Sequence, residues 1–205
     1  RKQYHFLMTF SKKGFTLFEM MIVIALIGLF FVAASYLTHD ARIWQTNTER
    51  LANKIYDIIR NTRNDMTIGR WVLTDWVLVA IKQRDISISN AGISITYTDS
   101  HDATGSDNIL PAPFFDNDSN YKIVDISVSS GWLSSSGMYT WDHTGSTSAN
   151  IIVGTSSSLA IAADWVDPTF PIRTIKITAG YTNFTRSVIL DRASGTVEIR
   201  TSSDD

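Results

Sequence analysis

Lys12-Lys13-Gly14-Phe15-Thr16-Leu17-Phe18-Glu19 runs directly into Met20-Met21-Ile22-Val23-Ile24-Ala25-Leu26-Ile27-Gly28, and this stretch decides the fold. From Phe15 to Leu37 there are 23 residues in which Glu19 is the one charged side chain. A helix needs about 20 apolar residues to cross a hydrocarbon core, so the run is long enough to span one. Lys12 and Lys13 stand immediately before it, which places the amino-terminal side in the cytoplasm and exports the rest. A carboxylate set against lipid chains is costly unless something offsets it, so Glu19 needs a partner.

Working outward from that stretch, the leader 1–14 carries Arg1, Lys2, Lys12 and Lys13 and no acid. The whole chain has a net charge of −2; without the leader, 14 basic side chains face 20 acidic ones and the charge falls to −6. Met8 offers an internal start that would shorten the leader to seven residues. Two plainer readings compete. An ordinary signal peptide would be cut near Val32-Ala33-Ala34, but such peptides have an apolar core of about 7–15 residues, shorter than this one. An uncleaved anchor would span the membrane equally well. Neither explains why Gly14 and Glu19 bracket the helix start at this spacing. An acid in the first turn does favour the positive end of the helix dipole, a local role for Glu19 that does not by itself offset burial in lipid.

The segment resembles the amino terminus of the type IV pilins and type II secretion pseudopilins: a basic leader ending in Gly, then Phe-Thr-Leu-x-Glu and an apolar helix. Gly14 matches the residue before the cut, Phe15 the new amino terminus and Glu19 the fifth mature residue. Phe18 departs mildly from the Ile or Val of many members. The resemblance implies cleavage between Gly14 and Phe15 by a prepilin peptidase, N-methylation of Phe15, and pairing of Glu19 with the amine of a neighbouring subunit during assembly. It also implies other pilin or pseudopilin subunits and an inner-membrane assembly platform as partners. Many major pilins carry a proline about 22 residues into the mature helix; Tyr36 stands there in this chain, which leans toward a minor subunit.

The helical pattern continues beyond Leu37. Leu51, Ile55, Ile58 and Ile59 recur at helical spacing, with Arg50, Lys54, Asp57 and Arg60 between them. No Pro or Gly interrupts residues 29–68, and Gly69 is placed to end the helix. Beyond it the composition shifts to Ser, Thr, Ile, Val and aromatics. Trp71–Ile81 reads as one apolar strand, with Trp71 and Trp76 expected in the core. Ile86–Ser89 and Ile93–Thr98 alternate around Asn90-Ala91-Gly92 and read as a hairpin. Further strands are expected over Tyr121–Val128, Ile151–Val153, Leu159–Ala162, Ile172–Ala179, Thr185–Leu190 and Thr196–Arg200. Strands following one long helix without alternation indicate an α+β fold: a helix packed on an antiparallel β-rich head. The expected organisation is therefore leader 1–14, transmembrane and filament-core helix 15–37, amphipathic continuation 38–68 and β-rich head 69–205.

Arg60-Asn61 before Gly69 and Trp71, together with Val188–Val197 around Gly195, is similar to the H-type minor pseudopilins and their minor-pilin relatives. The chain has no cysteine, so an exported head must be held by its core alone. Asp116, Asp118 and Asn120 occupy positions one, three and five of a calcium-loop pattern, but Tyr121 replaces the turn glycine and Ser127 the bidentate acid. The four histidines are scattered, and no nucleophile elbow or phosphate-binding glycine loop occurs, so neither an enzyme nor a cofactor is expected. The acidic mature chain and the tail Arg200–Asp205 argue against DNA capture, although Arg186, Arg192 and Arg200 are placed where they can align. The expected function is a pilin-like structural subunit, anchored in the inner membrane with its amino terminus in the cytoplasm. The rival is an anchored, exported adhesin or DNA-binding module that is never cut.

Overall fold

The computed structural model describes residues 16–74, 76–114, 120–131, 141–155, 158–181 and 183–201, apart from the side chains of residues 37–39 and 74. Among the described residues a single helix, α1 (Leu17–Ile68), is followed by eleven strands: β1 (Trp71–Thr74), β2 (Val77–Ser89), β3 (Gly92–Asp99), β4 (Thr104–Pro111), β5 (Lys122–Ser129), β6 (His143–Ser146), β7 (Ser148–Gly154), β8 (Leu159–Ala162), β9 (Thr174–Tyr181), β10 (Phe184–Asp191) and β11 (Val197–Thr201). The chain divides into two compact units, residues 1–42 and 43–205. The fold is α+β, as the order of helix and strands implies.

In the first unit every described side chain from Thr16 to Tyr36 is exposed. The run contains no apolar face turned inward, because it is apolar all round.

The second unit is built on an amphipathic stretch of α1. Thr48, Leu51, Ala52, Ile55, Ile59, Thr62 and Met66 recur every three or four residues and are all buried, the stripe expected of a helix lying on a core. Thr48 satisfies its hydroxyl within the helix, donating to the Trp44 carbonyl at 2.9 Å, so burying it leaves no polar group unpaired. Gly69 ends the helix with φ +79, its N–H reaching the Asp65 carbonyl at 3.1 Å; a glycine takes this left-handed turn without steric cost.

Two antiparallel sheets complete the unit. One has the order β4-β3-β2-β7-β8, with β1 also paired to β2; the other has the order β11-β10-β9-β5-β6. Ile86, Ile88, Ile93, Ile151 and Val153 of the first sheet join Ile126, Val128, Ile175, Ile177, Val188 and Leu190 of the second in a single apolar core with the helix stripe. Each such side chain contributes about 1.5–3 kcal/mol by leaving water, which explains how the head holds together without a disulfide.

The β2–β3 hairpin forms as the pattern implies, with Ser89 opposite Gly92. Strands β5, β7, β8, β9, β10 and β11 lie within a few residues of their expected positions. Two expectations fail. Trp71–Ile81 is not one strand: Thr74 pairs with Val77, so the run folds back as the β1–β2 hairpin. Trp71 and Trp76 are not core residues but 60% and 93% exposed. The cause is topological. Pairing of β2 with β3 begins at Ile81 and with β7 at Gln83, so, among the described residues, positions 77–80 have β1 as their one strand neighbour, and both tryptophans stay exposed. Strands β4 and β6 went unforeseen, since Asp107, Asn108, Gly105 and Pro111 in β4 are poor strand formers that an edge position tolerates.

Candidate functional site

At the head of α1 the backbone and Glu19 form a closed reciprocal arrangement. The Thr16 N–H donates to Glu19 Oε2 at 2.9 Å, and the Thr16 hydroxyl approaches the same oxygen at 3.1 Å. In return the Glu19 N–H donates to Thr16 Oγ1 at 3.2 Å. This is a capping box: a Thr before the first helical residue and a Glu three positions on satisfy each other's orphan donors. The four residues Thr16-Leu17-Phe18-Glu19 spell it, so Thr16 was readable as a site residue from its spacing to Glu19 alone. Both contacts fall on Oε2, which leaves Oε1 outside the box. Further along, the Ser35 hydroxyl donates to the Phe31 carbonyl at 2.8 Å, so this polar group is satisfied without leaving the helix, as a lipid environment requires. Within α1 lies a stretch long and apolar enough to cross a membrane. Lys12, Lys13, Gly14 and Phe15 lie outside the described residues.

The second half of α1 is fastened to the sheets by polar groups at both ends of its stripe. Near Ile43, Trp44 stacks against Tyr181 with ring centres 5.1 Å apart, and Tyr181 against Tyr121 at 4.4 Å. The Asn47 amide donates to the Tyr121 hydroxyl at 3.2 Å, and Arg186 pairs with Glu49 at 2.7 Å. At the other end, Asp65 accepts from Arg84 at 2.8 Å and from Arg70 at 2.5 Å. Arg63 donates to the carbonyl oxygen of Gly195 and lies against that glycine.

The three arginines considered for DNA are each engaged within the chain. Arg186 is held by Glu49, Arg192 donates to the Leu159 and Ile172 carbonyls, and Arg200 pairs with Glu198 at 3.0 Å. Of the calcium candidates, Asp116 and Asp118 lie outside the described residues, and Asn120 sits in the turn before β5. Among the described residues no group of three or more His, Cys, Asp or Glu side chains is gathered for a metal.

A cleft of about 550 Å³ opens beside the end of α1, between Ile58 and Asp65 on one side and Tyr97 and Ile109 on the other, with Trp71, Val72 and Leu73 at its margin. Of its polar members, Arg70 and Arg84 each pair with Asp65, Arg84 Nε is buried without a hydrogen-bond partner, and Asn61, Thr62 and Asp107 also line it. Among the described residues that line it there is no His, Lys, Ser or Cys.

Comparison with known proteins returns one family: residues 9–35 match the prokaryotic N-terminal methylation motif. No curated protein and no solved structure matches the chain.

Proposed function

We propose that this chain is a minor pilin-like subunit of a type II secretion pseudopilus or a type IV pilus. The observation that carries the reading is the coincidence of the methylation motif over residues 9–35 with a helix that starts at Leu17, is apolar and exposed all round as far as Tyr36, and holds a single carboxylate in its first turn. The leader 1–14 stays in the cytoplasm, prepilin peptidase cuts between Gly14 and Phe15, and the new amine of Phe15 is methylated. The anchored subunit then leaves the inner membrane through the assembly platform and packs its helix 15–37 against those of its neighbours, with the segment 38–68 carrying the head 69–205 outside. The chain performs no chemistry; its work is assembly.

The capping box refines the part played by Glu19. The box uses the N–H of the Phe15–Thr16 peptide, which lies beyond the Gly14–Phe15 bond, so cleavage leaves it in place. Oε2 serves the helix, and Oε1 is the oxygen offered to the charged amine of a neighbouring Phe15, the kind of partner that a carboxylate removed from water requires. The H-type assignment draws support from the glycine-capped end of α1, the strand that follows at Trp71 and the β10–β11 hairpin turning at Gly195.

Amino-terminal sequencing of the mature protein tests the reading. Phe15, methylated, is the expected first residue, whereas the anchored adhesin or DNA-binding rival keeps its leader. Gly14→Leu is expected to abolish maturation, seen as loss of the faster-migrating band; unchanged processing would rule out the peptidase. Glu19→Ala is expected to leave processing intact but deplete the subunit from sheared filaments. Equal co-assembly with the wild type would remove the assembly role.

A further inference from the structure

The pairing of β9 with β10 ends at Thr174 and Asp191, and one step further the chain sets two like charges face to face. The Arg192 N–H donates to the Arg173 carbonyl at 2.8 Å, so the two arginines stand opposite each other across the strands. Like charges directly opposite in an antiparallel pair are destabilising. Departures from local rules of this kind concentrate at functional sites.

Both side chains open onto one hollow of about 410 Å³, whose other described walls are Ser130, Pro171, Ile172 and Ala193. No carboxylate is among them, and residues 132–140, which follow Gly131, contain no acid. The two guanidinium groups are not equally provided for. Arg173 Nε lies 3.7 Å from Asp191 Oδ2, and the other oxygen of Asp191 accepts from the N–H groups of Ala193 and Ser194 at 2.8 and 3.1 Å. Among the described residues Arg192 has carbonyl partners only: its Nε donates to Leu159 at 2.9 Å and its Nη1 to Ile172 at 3.2 Å. Those two bonds fix the fork in place and leave three of its five N–H groups. Asp142, the acid reached through Ser130, takes that residue's N–H and hydroxyl at 2.7 and 2.9 Å. One guanidinium of the facing pair therefore has a carboxylate beside it, and the other has none.

We propose that this hollow binds a single carboxylate, held by the remaining N–H groups of Arg192 and attracted by Arg173 on the facing strand. The anion supplies the one negative charge that the pair lacks, whereas a phosphate dianion brings one too many. The planar fork of an arginine matches a carboxylate with two parallel hydrogen bonds. Because the Leu159 and Ile172 carbonyls fix the fork beforehand, little rotamer freedom is lost on binding. Pro171, Ile172 and Ala193 suit a carboxylate carried on an apolar stem. Its source is a small free acid or a polypeptide, and the chemistry is the same for both. The hollow lies within residues 43–205 and the proposal stands whether or not the leader is cut.

Melting of the full chain in detergent, at neutral pH and fixed ionic strength, tests this with sodium acetate exchanged for sodium chloride. Acetate is expected to raise the midpoint saturably, and acetamide, its neutral counterpart, to leave it unchanged. Arg192→Gln removes the charge and the fork, and is expected to weaken acetate about tenfold; midpoints read against that variant cancel general salt effects. Ala193→Glu supplies a carboxylate to the hollow from within the chain. It is expected to melt about 1–4 °C above Ala193→Gln and to lose the response to acetate. This variant adds a group rather than removing one, so it reads the site even where Arg192→Gln does not fold. A short peptide ending in valine, with a free carboxylate or as its carboxamide, separates the sources. Binding about tenfold tighter than acetate by the free peptide alone assigns a polypeptide, and binding equal to acetate assigns a small acid. A midpoint that follows chloride or acetamide as closely as acetate, phosphate bound more tightly than acetate, unchanged acetate affinity in Arg192→Gln, or an acetate response that survives Ala193→Glu would each overturn the proposal.

Discussion

α1 is one helix with two solutions to the same problem. From Thr16 to Tyr36 its apolar side chains are exposed on every side, whereas from Leu51 to Met66 a single stripe is buried and the other faces carry Arg50, Lys54, Asp57 and Arg60. The second half finds its cover within the chain. The first half must find it elsewhere, in lipid or in the helices of other subunits. A stripe identifies a surface with an internal partner; an all-round apolar helix identifies a surface whose partner is another molecule.

Deleting methylenes from each half breaks the comparison if it is wrong. Ile55 is wholly buried in the core, so Ile55→Ala is expected to destabilise the head by about 2–5 kcal/mol. Ile24 lies in the exposed run, and Ile24→Ala should leave the head's unfolding midpoint unchanged. Denaturant titration of the full chain in detergent, followed by tryptophan fluorescence, measures both. Equal losses would mean that the first half is folded into the head after all.

The same contrast governs what was legible in the sequence. Periodicity revealed the buried stripe, and the turn residues Asn90-Ala91-Gly92 revealed the central hairpin, because both are local signals. The capping box was equally local, four residues long. Trp71 and Trp76 mislead because hydrophobicity states that a side chain gains from cover without stating whose. Whether β1 is covered depends on where β3 and β7 begin to pair with β2, a long-range fact that no window of sequence contains. β4 escapes for the opposite reason, since an edge strand with one solvated side needs no apolar alternation. The division of the strands into two sheets is likewise set by pairings between distant segments, such as β5 with β9.

Two glycines sharpen the comparison at smaller magnitude. A Cβ on Gly195 would lie within 2.4 Å of the Arg63 guanidinium, and its φ of +66 is strained for any other residue. Gly195→Ala is expected to cost about 1–3 kcal/mol, because Arg63 must give up its carbonyl partner to make room. A Cβ on Gly28 meets nothing within 4 Å, so Gly28→Ala should leave head stability unchanged while raising local helix propensity by about 1 kcal/mol. If Gly28→Ala nevertheless depletes the subunit from filaments, the open space around Gly28 belongs to a neighbouring helix.

The smallest effect comes from acid, and it too should stay on one side of the divide. Asp142 accepts the Ser130 N–H at 2.7 Å and its hydroxyl at 2.9 Å. The backbone N–H foremost, with help from the hydroxyl, holds its carboxyl below the ordinary aspartate value despite some opposing desolvation. A carboxyl whose folded value is depressed stabilises the fold fully above its unfolded value, near 3.9, and loses that contribution as pH falls through the folded one. Asp142 is close to solvent, so screening reduces the contribution to on the order of 0.5 kcal/mol. The melting midpoint of Asp142→Asn should therefore lie slightly below that of the wild type at pH 6, and the gap should narrow as pH falls below the ordinary aspartate value and the folded carboxyl takes up its proton. A gap that widens in acid would reverse the sign and mean that Asp142 is stabilised in its protonated form. Because the Asp142–Ser130 contact lies wholly within residues 43–205, hydrogen exchange along residues 17–36 should not follow this titration.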